Sequence, residues 1–353
     1  MQNSKRDVLL RIAAWAVLCT LPWVMAALGL LLSAHTVCAN TLKAKQAELV
    51  PVRLVLQWEH QAQFAGYYMA QEQGYYADAG LDLKIIPGGA HVNPLRMVRQ
   101  GEAEFCTDML ASVLTTQTDS TRLVLLRQVL NRSNLTLVAW KNGRNGDLQI
   151  EKPSDLNGTL ITVWETYRPA YERFLQRYGV NATILPQYYT QALFLRGGAD
   201  ACCAMRYNEY HALLQKGVRL GEISVFDFNA LGIDVPEDGI YTRQSFWLEQ
   251  PRQCEAFARA SMQGWEYALK HPQQTLDVVM RYVHEAQLPV NRNHMDWMLD
   301  VMLQSIFPKG HADWELGILS EASYLNALRI LGLESTAPTY TDFVTSGARH
   351  ALD

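Results

Sequence analysis

The residues best suited to chemistry lie in polar loops that directly follow aliphatic strands of the sequence. Trp58 stands at the end of the first such strand, and Gln61 and Gln63 follow in the next loop. A tryptophan face stacks on flat rings, and amides both donate and accept hydrogen bonds. Ligands of open α/β sheets lie beyond the carboxyl ends of the strands, so this loop is a candidate ligand site. The alternatives are a core tryptophan and solvent-facing amides.

Further candidate residues follow later strands. Thr107 and Asp108 end a short strand and open a helix, although Asp108 could simply cap that helix. Glu209 presents a carboxylate after another strand, and the preceding Tyr207 and Asn208 would orient it. The alternative for Glu209 is a surface position on an amphipathic helix. We interpret these five residues as ligand contacts and keep the structural alternatives open.

The remaining candidates are one acidic loop and two aromatic side chains. Glu165 follows the first strand of the second half together with Thr166 and Tyr167, and these residues could close over a ligand. Phe64 and Tyr68 lie on a predicted helix after the first loop. Because aromatic residues at helical spacing usually face a core, ligand contact and core packing are both open for Phe64 and Tyr68.

Other kinds of chemistry find little support. There is no phosphate-binding glycine loop and no Gly-x-Ser-x-Gly turn, and the nine histidines show no zinc-ligand spacing. His60 in the first loop is a weaker candidate for ligand contact. The adjacent side chains of Cys202 and Cys203 diverge, which disfavours a shared metal ion. The net charge of −4 comes without long charged runs, unlike that of a nucleic-acid binder. We expect no catalytic residue, metal or cofactor, and no nucleic-acid partner.

The candidate loops need a scaffold of alternating strands and helices, and the sequence predicts one. Residues 52–56 and 81–86 have the pattern of strands, and stretches with helical spacing separate such strands. A polar stretch at 141–147 precedes a second α/β set, and helices dominate after about residue 252. Repeated βα units imply largely parallel sheets with helices on both faces.

This pattern predicts an α/β protein of two lobes with a cleft between them. We assign residues 50–140 and 232–353 to the first lobe and residues 141–231 to the second. The chain of 353 residues, 49% of them apolar, is long enough for two such cores.

The amino terminus has the pattern of an export signal. Basic residues at positions 5, 6 and 11 precede an apolar run from Ile12 to Ala34, and cleavage after Ala39 fits the small residue there. The run is longer than an ordinary signal and approaches the span of a bilayer. We predict that residues 1–39 are a signal peptide or signal anchor, followed by a linker at 40–49. The protein would then be periplasmic, either free or anchored in the inner membrane.

Several segments resemble one family in order and spacing. The string LQWEHQAQFAGYY at residues 56–68 is followed by a Gly-Tyr-Tyr and a Gly-Leu-Asp step. RQGEAEF at 99–105, AMRYNEY at 204–210 and PTYTDFV at 338–344 complete the match. The chain therefore resembles periplasmic solute-binding proteins of the sulfonate- and thiamine-pyrimidine-binding type.

The resemblance implies a type II periplasmic binding-protein fold whose lobes close around a small-molecule ligand. It also implies an ABC permease and ATPase as partners. The chain looks closest to the thiamine-pyrimidine branch, in which Glu209 would pair with the ring nitrogen and amine of an aminopyrimidine. The bulky, partly acidic loop around Glu165 replaces the small anion-binding loop that sulfonate binders usually carry. A sulfonate or taurine-type ligand is the alternative.

The same branch includes a thiamine pyrimidine synthase that consumes its own histidine together with pyridoxal phosphate. Its lysine and histidine align with Asp108 and Ser112 here. Since neither residue offers an amine for a Schiff base or an imidazole, the resemblance implies a binding protein and not that enzyme. A membrane-anchored sensory protein with the same fold is the other alternative, and the long leader is its support.

Overall fold

The strands of this protein form two five-stranded β-sheets. The computed structural model describes residues 49–118, 120–308 and 315–349. The strand order is β2-β1-β3-β10-β4 in the first sheet and β7-β6-β8-β5-β9 in the second. The strands are β1 (Val50–Val55), β2 (Leu81–Ile86), β3 (Phe105–Met109), β4 (Leu123–Gln128), β5 (Leu135–Trp140), β6 (Leu160–Val163), β7 (Thr183–Pro186), β8 (Ala201–Met205), β9 (Ile223–Asp227) and β10 (Asp238–Arg243).

Helices cover these sheets and dominate the last third of the chain. In the described residues they are α1 (Ala65–Glu72), α2 (Tyr75–Asp78), α3 (Pro94–Gln100), α4 (Leu110–Thr115), α5 (Arg168–Arg177), α6 (Ala192–Leu195), α7 (Glu209–Gln215), α8 (Gln244–Glu249), α9 (Pro251–Lys270), α10 (Pro272–Glu285), α11 (Arg292–Ile306), α12 (Glu321–Leu331) and α13 (Tyr340–Phe343). Short 3₁₀ turns lie at Ala62–Phe64, Pro153–Leu156, Glu165–Tyr167, Leu220–Glu222 and Ser346–Ala348.

Each sheet combines parallel strands with one antiparallel strand. β1 pairs in parallel with β2 and β3, whereas β10 runs antiparallel to β3 and β4. In the second sheet, β6 pairs in parallel with β7 and β8, and β5 runs antiparallel to β8 and β9. We expected largely parallel sheets. The antiparallel strand in each sheet is the one that the chain enters directly from the other sheet, which a local βα pattern does not reveal.

The chain passes between the sheets through two crossing segments, residues 129–134 and 228–237. The sequence prediction assigned residues 135–140 to the first lobe, but this segment is β5 and pairs in the second sheet. The polar stretch at 141–147 forms a turn after β5. Polarity alone does not distinguish a turn within one lobe from a crossing between two lobes.

Local capping explains where the helices beside the cleft begin. The side chain of Asn93 accepts a hydrogen bond from the backbone N–H of Arg96 at 2.9 Å, and Pro94 occupies the first turn of α3. The helix ends at Gly101, whose φ of 78° suits glycine. Asn291 caps α11 in the same way by accepting from the backbone N–H of His294 at 2.9 Å.

The core of the first lobe depends on a close approach of α1 and α9. Gly66 on α1 and Gly264 on α9 face each other, and a Cβ on Gly264 would overlap the carbonyl oxygen of Gly66. Trp265 is fully buried at this contact, and its ring lies edge-on to Tyr67 with centroids 6.2 Å apart. Glycine at both positions therefore lets the two helix backbones pack directly against each other.

Gly264→Ala should destabilise the protein, because the added methyl group meets backbone atoms that cannot rotate away. Overpacking of this kind lowers the free energy of unfolding by about 1–3 kcal/mol. Gly221→Ala is the matched control, since no heavy atom lies within 4 Å of a Cβ built at that position. Chemical denaturation of the two variants should show a clear loss for Gly264→Ala alone. Equal midpoints would contradict this account of the helix contact.

Two further sequence predictions concern the leader and the cysteines. In the described part of the chain, no helix has the length and hydrophobicity needed to cross a bilayer. The predicted leader at residues 1–39 and most of the predicted linker lie outside the described residues. Cys106, Cys202, Cys203 and Cys254 are buried free thiols. Burial raises the pKa of each of these thiols.

Candidate functional site

One cavity of about 420 Å³ lies where the carboxyl ends of β1, β3, β6 and β8 meet. Ligand sites of α/β sheets lie at this edge, and the volume is within the range of small-molecule sites. Predicted residues that line the cavity are Trp58, Gln61, Asp108, Glu165, Tyr207, Asn208 and Glu209, together with Gln63, Thr166 and Tyr167. Loops from both lobes, each following a strand, therefore meet at one cavity.

Three of the predicted ligand contacts do not line the cavity. Phe64 is fully buried in the core, and Tyr68 stacks on Tyr282 with ring centroids 4.2 Å apart. Thr107 is also fully buried and accepts a hydrogen bond from the backbone N–H of Gln57 at 3.0 Å. Phe64 and Tyr68 therefore pack in the core, which is the alternative interpretation given for them above. Thr107 holds the backbone of the loop at Gln57.

His60, the weaker candidate, also lies away from the cavity lining. Its Nδ1 is 2.9 Å from the hydroxyl of Tyr68, and its ring contacts Tyr282 at a centroid distance of 5.5 Å. Burial lowers the pKa of His60. The side chain therefore anchors the first loop to α10 and α1 on the side opposite the cavity.

Ser112, which aligns with the synthase histidine, also lines the cavity. Other lining residues were not singled out in the sequence. They are Gln57, Met109, Trp164, Pro186, Gln187, Tyr188, Tyr189 and Met205. Trp164 follows β6 and Met205 ends β8 at the same edge as the predicted loops, so their position at an aliphatic strand end was a usable signal. Tyr188 and Tyr189 lie between β7 and α6.

The aromatic part of the site joins the two lobes. Trp58 of the first lobe and Tyr189 of the second have ring centroids 5.7 Å apart. The Tyr189 hydroxyl donates to the carbonyl of Ala90 in the first lobe at 3.1 Å. Trp58 is positioned from behind because its carbonyl accepts from the N–H of Gly88 at 2.9 Å. A Cβ at Gly88 would overlap the backbone at Leu56, so glycine permits this close approach.

Glu209 is a carboxylate that the protein has already oriented. Its Oε2 accepts from the backbone N–H of Met205 at 3.0 Å, and its Oε1 accepts from the amide of Asn208 at 3.0 Å. Burial raises the pKa of Glu209, and the hydrogen bond from Met205 opposes that shift. Its own backbone N–H also donates to it, and a carboxylate has about four acceptor positions, so it can still accept from a ligand.

Asp108 and Asp238 form an acidic floor under the cavity. Asp108 accepts from the backbone N–H of Met109 at 2.8 Å, and burial raises its pKa to about 7. Asp238 accepts from Gln57 at 3.1 Å and from Gln63 at 2.8 Å, and burial raises its pKa to about 6. The two amides are thereby fixed, and Oε1 of Gln63 also accepts from Nε2 of Gln61 at 2.6 Å.

Glu165 differs from the other acids because it is already paired. It is exposed, and Arg168 donates to its two oxygens at 2.9 Å each. These hydrogen bonds lower the pKa of Glu165. Its carboxylate is therefore paired with Arg168 at the rim of the cavity, and it is not free to bind a ligand.

Two buried polar atoms at the cavity lack a protein partner among the described residues. They are the hydroxyl of Tyr167 and the Oε1 of Gln57. A buried polar group without a partner costs about 1–3 kcal/mol, so such groups usually meet a ligand or water. Elsewhere in the described residues, no three His, Cys, Asp or Glu side chains are grouped for a metal ion.

Glu237 ties together the two crossing segments behind the cavity. Its carboxyl is fully buried and accepts from the Ser133 hydroxyl at 3.1 Å and from the backbone N–H of Asn134 at 2.6 Å. Burial is the main cause that raises the pKa of Glu237 to about 8, and these hydrogen bonds oppose it. The folded protein therefore holds a proton that an exposed glutamate would release.

Glu237 should make the protein less stable as the pH rises. Its folded pKa lies above the usual value of 4.5, so its contribution is complete below that pH and is lost as the pH rises through about 8. Glu237→Gln stays neutral and should flatten the fall of Tm across this window. Thermal unfolding from about pH 5 to 9 measures the effect. A variant curve parallel to that of the unchanged protein would contradict the assignment.

Comparison with known proteins agrees with this geometry. The family model described as NMT1/THI5 like matches residues 61–275. The chain is 24% identical over 281 residues to the formylaminopyrimidine-binding protein of Halalkalibacterium halodurans, which covers 76% of this chain and 82% of that protein. It is 23% identical over 253 residues to the riboflavin-binding protein RibY of Chloroflexus aurantiacus, which covers 69% of each.

A solved structure shows the same architecture. The periplasmic aliphatic sulphonate binding protein SsuA from Escherichia coli superposes with a TM-score of 0.60 at 12% identity, covering 80% of this chain and 86% of that chain. This likeness concerns the fold. The family match extends over more than half of the 353 residues and includes loops from both lobes of the cavity. The chain therefore belongs to the NMT1/THI5-like family and has the two-lobed periplasmic binding-protein fold.

Proposed function

We propose that this protein is the extracytoplasmic substrate-binding component of an ABC importer and that its cavity binds a small heteroaromatic molecule. A thiamine-precursor aminopyrimidine is the compound class that we favour. One observation carries the proposal: Trp58 of the first lobe and the oriented carboxylate of Glu209 of the second line the same cavity. A flat ring between the lobes would meet an aromatic face and a hydrogen-bonding edge together.

The polar groups of the site suit a ring with both donors and acceptors. Glu209 would accept from an exocyclic amine and from a protonated or N–H ring position, and charge strengthens such hydrogen bonds. The unpartnered hydroxyl of Tyr167 and Oε1 of Gln57 would meet polar ring atoms or substituents. The formylaminopyrimidine-binding relative supports this ligand class.

A sulfonate is less suited to this lining. Asp108 and Glu209 bring two carboxyl groups to the cavity, Glu165 is paired with Arg168 at its rim, and the described lining residues include neither lysine nor arginine. A buried anion needs charge-complementary partners or backbone N–H groups. We therefore favour a neutral or cationic ring, with alkanesulfonates as the comparison class in the test.

The positions that align with the synthase lysine and histidine also line the cavity. Asp108 and Ser112 are hydrogen-bonded to each other there. An aspartate and a serine supply neither a Schiff-base amine nor a sacrificial imidazole. We propose that ligand is bound and released without chemical change.

The placement of the protein follows from the same proposal. An ABC permease and ATPase would receive the ligand at the inner membrane, and the cavity would face the periplasm. A membrane-anchored sensor would use the same cavity, and the leader that bears on this choice lies outside the described residues. We propose lobe limits at the two crossing segments, residues 129–134 and 228–237.

A thermal-shift screen tests the proposed ligand class. Formylaminopyrimidine, 4-amino-2-methylpyrimidine, riboflavin, taurine and methanesulfonate would each be added to the purified protein. Binding to the folded state alone raises Tm, and a ligand at about 100 times its Kd adds about 2.7 kcal/mol. We expect the pyrimidines to raise Tm. Stabilisation by the sulfonates alone, or by none of these compounds, would overturn the ligand assignment.

A further inference from the structure

Helix α11 contacts both lobes along one flank of the cleft. It packs against α10 and against the 3₁₀ turn at 62–64 in the first lobe. Towards the second lobe, the indole of Trp297 donates to the carbonyl of Arg206 at 3.0 Å. One turn earlier, Nε2 of His294 lies 2.9 Å from Oδ1 of Asn208. Since Asn208 lines the cavity, α11 reaches the site from outside it.

Four side chains form a continuous hydrogen-bonded chain that ends at the cavity carboxylate. Nδ1 of His211 lies 2.9 Å from Nδ1 of His294, Nε2 of His294 meets Asn208, and the amide of Asn208 donates to Glu209 at 3.0 Å. His211 belongs to α7 of the second lobe, and His294 to α11. The histidine pair therefore joins the lobes directly beside the proposed ligand carboxylate.

The chain of hydrogen bonds fixes the tautomer of each ring. An ionised Glu209 only accepts, so the amide nitrogen of Asn208 faces it and Oδ1 faces His294. Nε2 of His294 must then carry the proton, which leaves its Nδ1 as an acceptor for the Nδ1–H of His211. Every donor thus points toward Glu209, and successive hydrogen bonds in one direction strengthen each other.

We propose that His294 is a positioning residue for Glu209 and that the His211–His294 pair fastens the second lobe to α11 in the ligand-holding arrangement. This inference rests on the proposed function of Glu209 as a ligand contact. His294 holds the Asn208 amide in the orientation that presents the Glu209 carboxylate to the cavity. Opening the lobes would separate His211 from His294 and release that orientation, so ligand capture and lobe closure are coupled.

The surroundings keep the histidine pair neutral at neutral pH. Burial, together with the charges of His211 and Lys216, lowers the pKa of His294 to about 4. Burial also lowers the pKa of His211. Arg206 and Asp296 flank the outer side of His211 in the adjoining groove, and Arg132 lines the same groove. When both rings are doubly protonated, two Nδ1–H groups face each other across the 2.9 Å contact and neither nitrogen can accept. Strong acid therefore breaks the hydrogen bond between His211 and His294.

The ring of His211 is itself supported by packing. It stacks on Trp297 with centroids 4.7 Å apart and planes 6° from parallel. His294 is fixed at the start of α11, where Asn291 accepts its backbone N–H. Trp297 belongs to α11, so this stack is a second contact of α7 with α11 beside the histidine pair.

The first arm of the test uses no ligand. Two-bond ¹H–¹⁵N spectra of histidine-labelled protein report the tautomer of each ring, with the exposed His284 as an internal reference. We expect His294 as the Nε2–H tautomer, still neutral when the pH falls to about 5, since its pKa is lowered to about 4. An Nδ1–H tautomer for His294 would contradict the proposed hydrogen-bonded chain from His211 to Glu209, whether or not any probe binds.

The second arm measures affinity for formylaminopyrimidine with three variants. His294→Ala should weaken binding about tenfold, because a hydrogen bond that orients a charged partner contributes about 1.5–3 kcal/mol, of which part survives. His294→Gln keeps an N–H donor at the place of Nε2 and should restore most of the affinity. His284→Gln changes an exposed histidine that does not line the cavity and should leave affinity unchanged.

The outcomes separate this inference from the proposed function. Equal affinity of His294→Ala, His294→Gln and the unchanged protein overturns the positioning role, provided that their Tm values show folded protein. If the unchanged protein binds none of the probes, the ligand assignment fails. The tautomer of His294 still tests the hydrogen-bonded chain from His211 to Glu209. Small-angle scattering of ligand-free His294→Ala should show a larger radius of gyration than that of the unchanged protein. An unchanged radius would contradict the proposal that the histidine pair holds the second lobe against α11.

Discussion

Glu209→Gln should reduce affinity for an aminopyrimidine by about 10- to 100-fold, because hydrogen bonds to a charged group contribute about 1.5–3 kcal/mol. The variant keeps the shape of the side chain and its contact with the backbone N–H of Met205. It replaces one acceptor oxygen by an amide donor, which would oppose the donor edge of the ring. Isothermal titration measures the loss, and Tm without ligand reports that the fold is intact.

Glu165→Gln is the matched control for this result. Both acids line the cavity, but the oxygens of Glu165 already accept from Arg168, whereas Glu209 is supported by backbone and amide donors. We expect the control to change affinity by less than about threefold, as exposed ion pairs contribute up to about 1 kcal/mol. Equal losses in the two variants would show general electrostatic attraction instead of a directed pairing at Glu209.

Trp58→Ala should weaken binding of the same ligand by about 5- to 100-fold. Stacking of a heterocyclic base on an aromatic side chain contributes about 1–3 kcal/mol by alanine substitution. The half-buried ring of Trp58 lies against Tyr189 at 5.7 Å, so a bound ring would contact aromatic surface from both lobes. Equilibrium titration of the variant measures the loss, and Trp58→Phe should recover part of the affinity.

Fluorescence gives an independent reading of the same residue. A ring stacked on Trp58 should change the emission of the unchanged protein, and this change should be smaller in Trp58→Phe, in which Trp164 still lines the cavity. Trp247→Phe is the control because that residue lies on α8 and borders a different depression. A ligand-induced change that persists in Trp58→Phe and disappears in Trp247→Phe would place the ligand elsewhere.

The sequence predicted the fold class because its signals are local and periodic. The alternation of strand and helix patterns identified most β-strands, and the segment around Trp58 carried the family resemblance. The partner of a strand depends on contacts far along the chain. Residues 135–140 were therefore assigned to the first lobe, although they form β5 and pair in the second sheet.

The candidate site was predicted where it follows a strand end. Trp58, Asp108 and Glu209 each lie close to the carboxyl end of a β-strand, and all three line the cavity. Phe64 shows the limit of this reasoning, because helical spacing identifies the face of a helix but not the neighbour against which that face packs. Tyr189 meets the site only when the lobes lie together, which no local pattern reports.

The histidine pair illustrates a second limit. His211 and His294 are 83 positions apart and show no ligand spacing in the sequence, so the search for metal sites passed over them. The role proposed for them depends on the packing of α7 against α11, which brings the two rings together beside Asn208. Hydrogen-bonded chains between lobes are properties of the assembled fold.

The central claim is that the cavity between Trp58 and Glu209 binds a small heteroaromatic molecule. Isothermal titration of the unchanged protein with formylaminopyrimidine tests it most directly. We predict one ligand per chain and a negative heat-capacity change, as expected when apolar ring surface is buried. Methanesulfonate should give no binding heat. Saturable binding of the sulfonate, with no heat from the pyrimidine, would contradict the account.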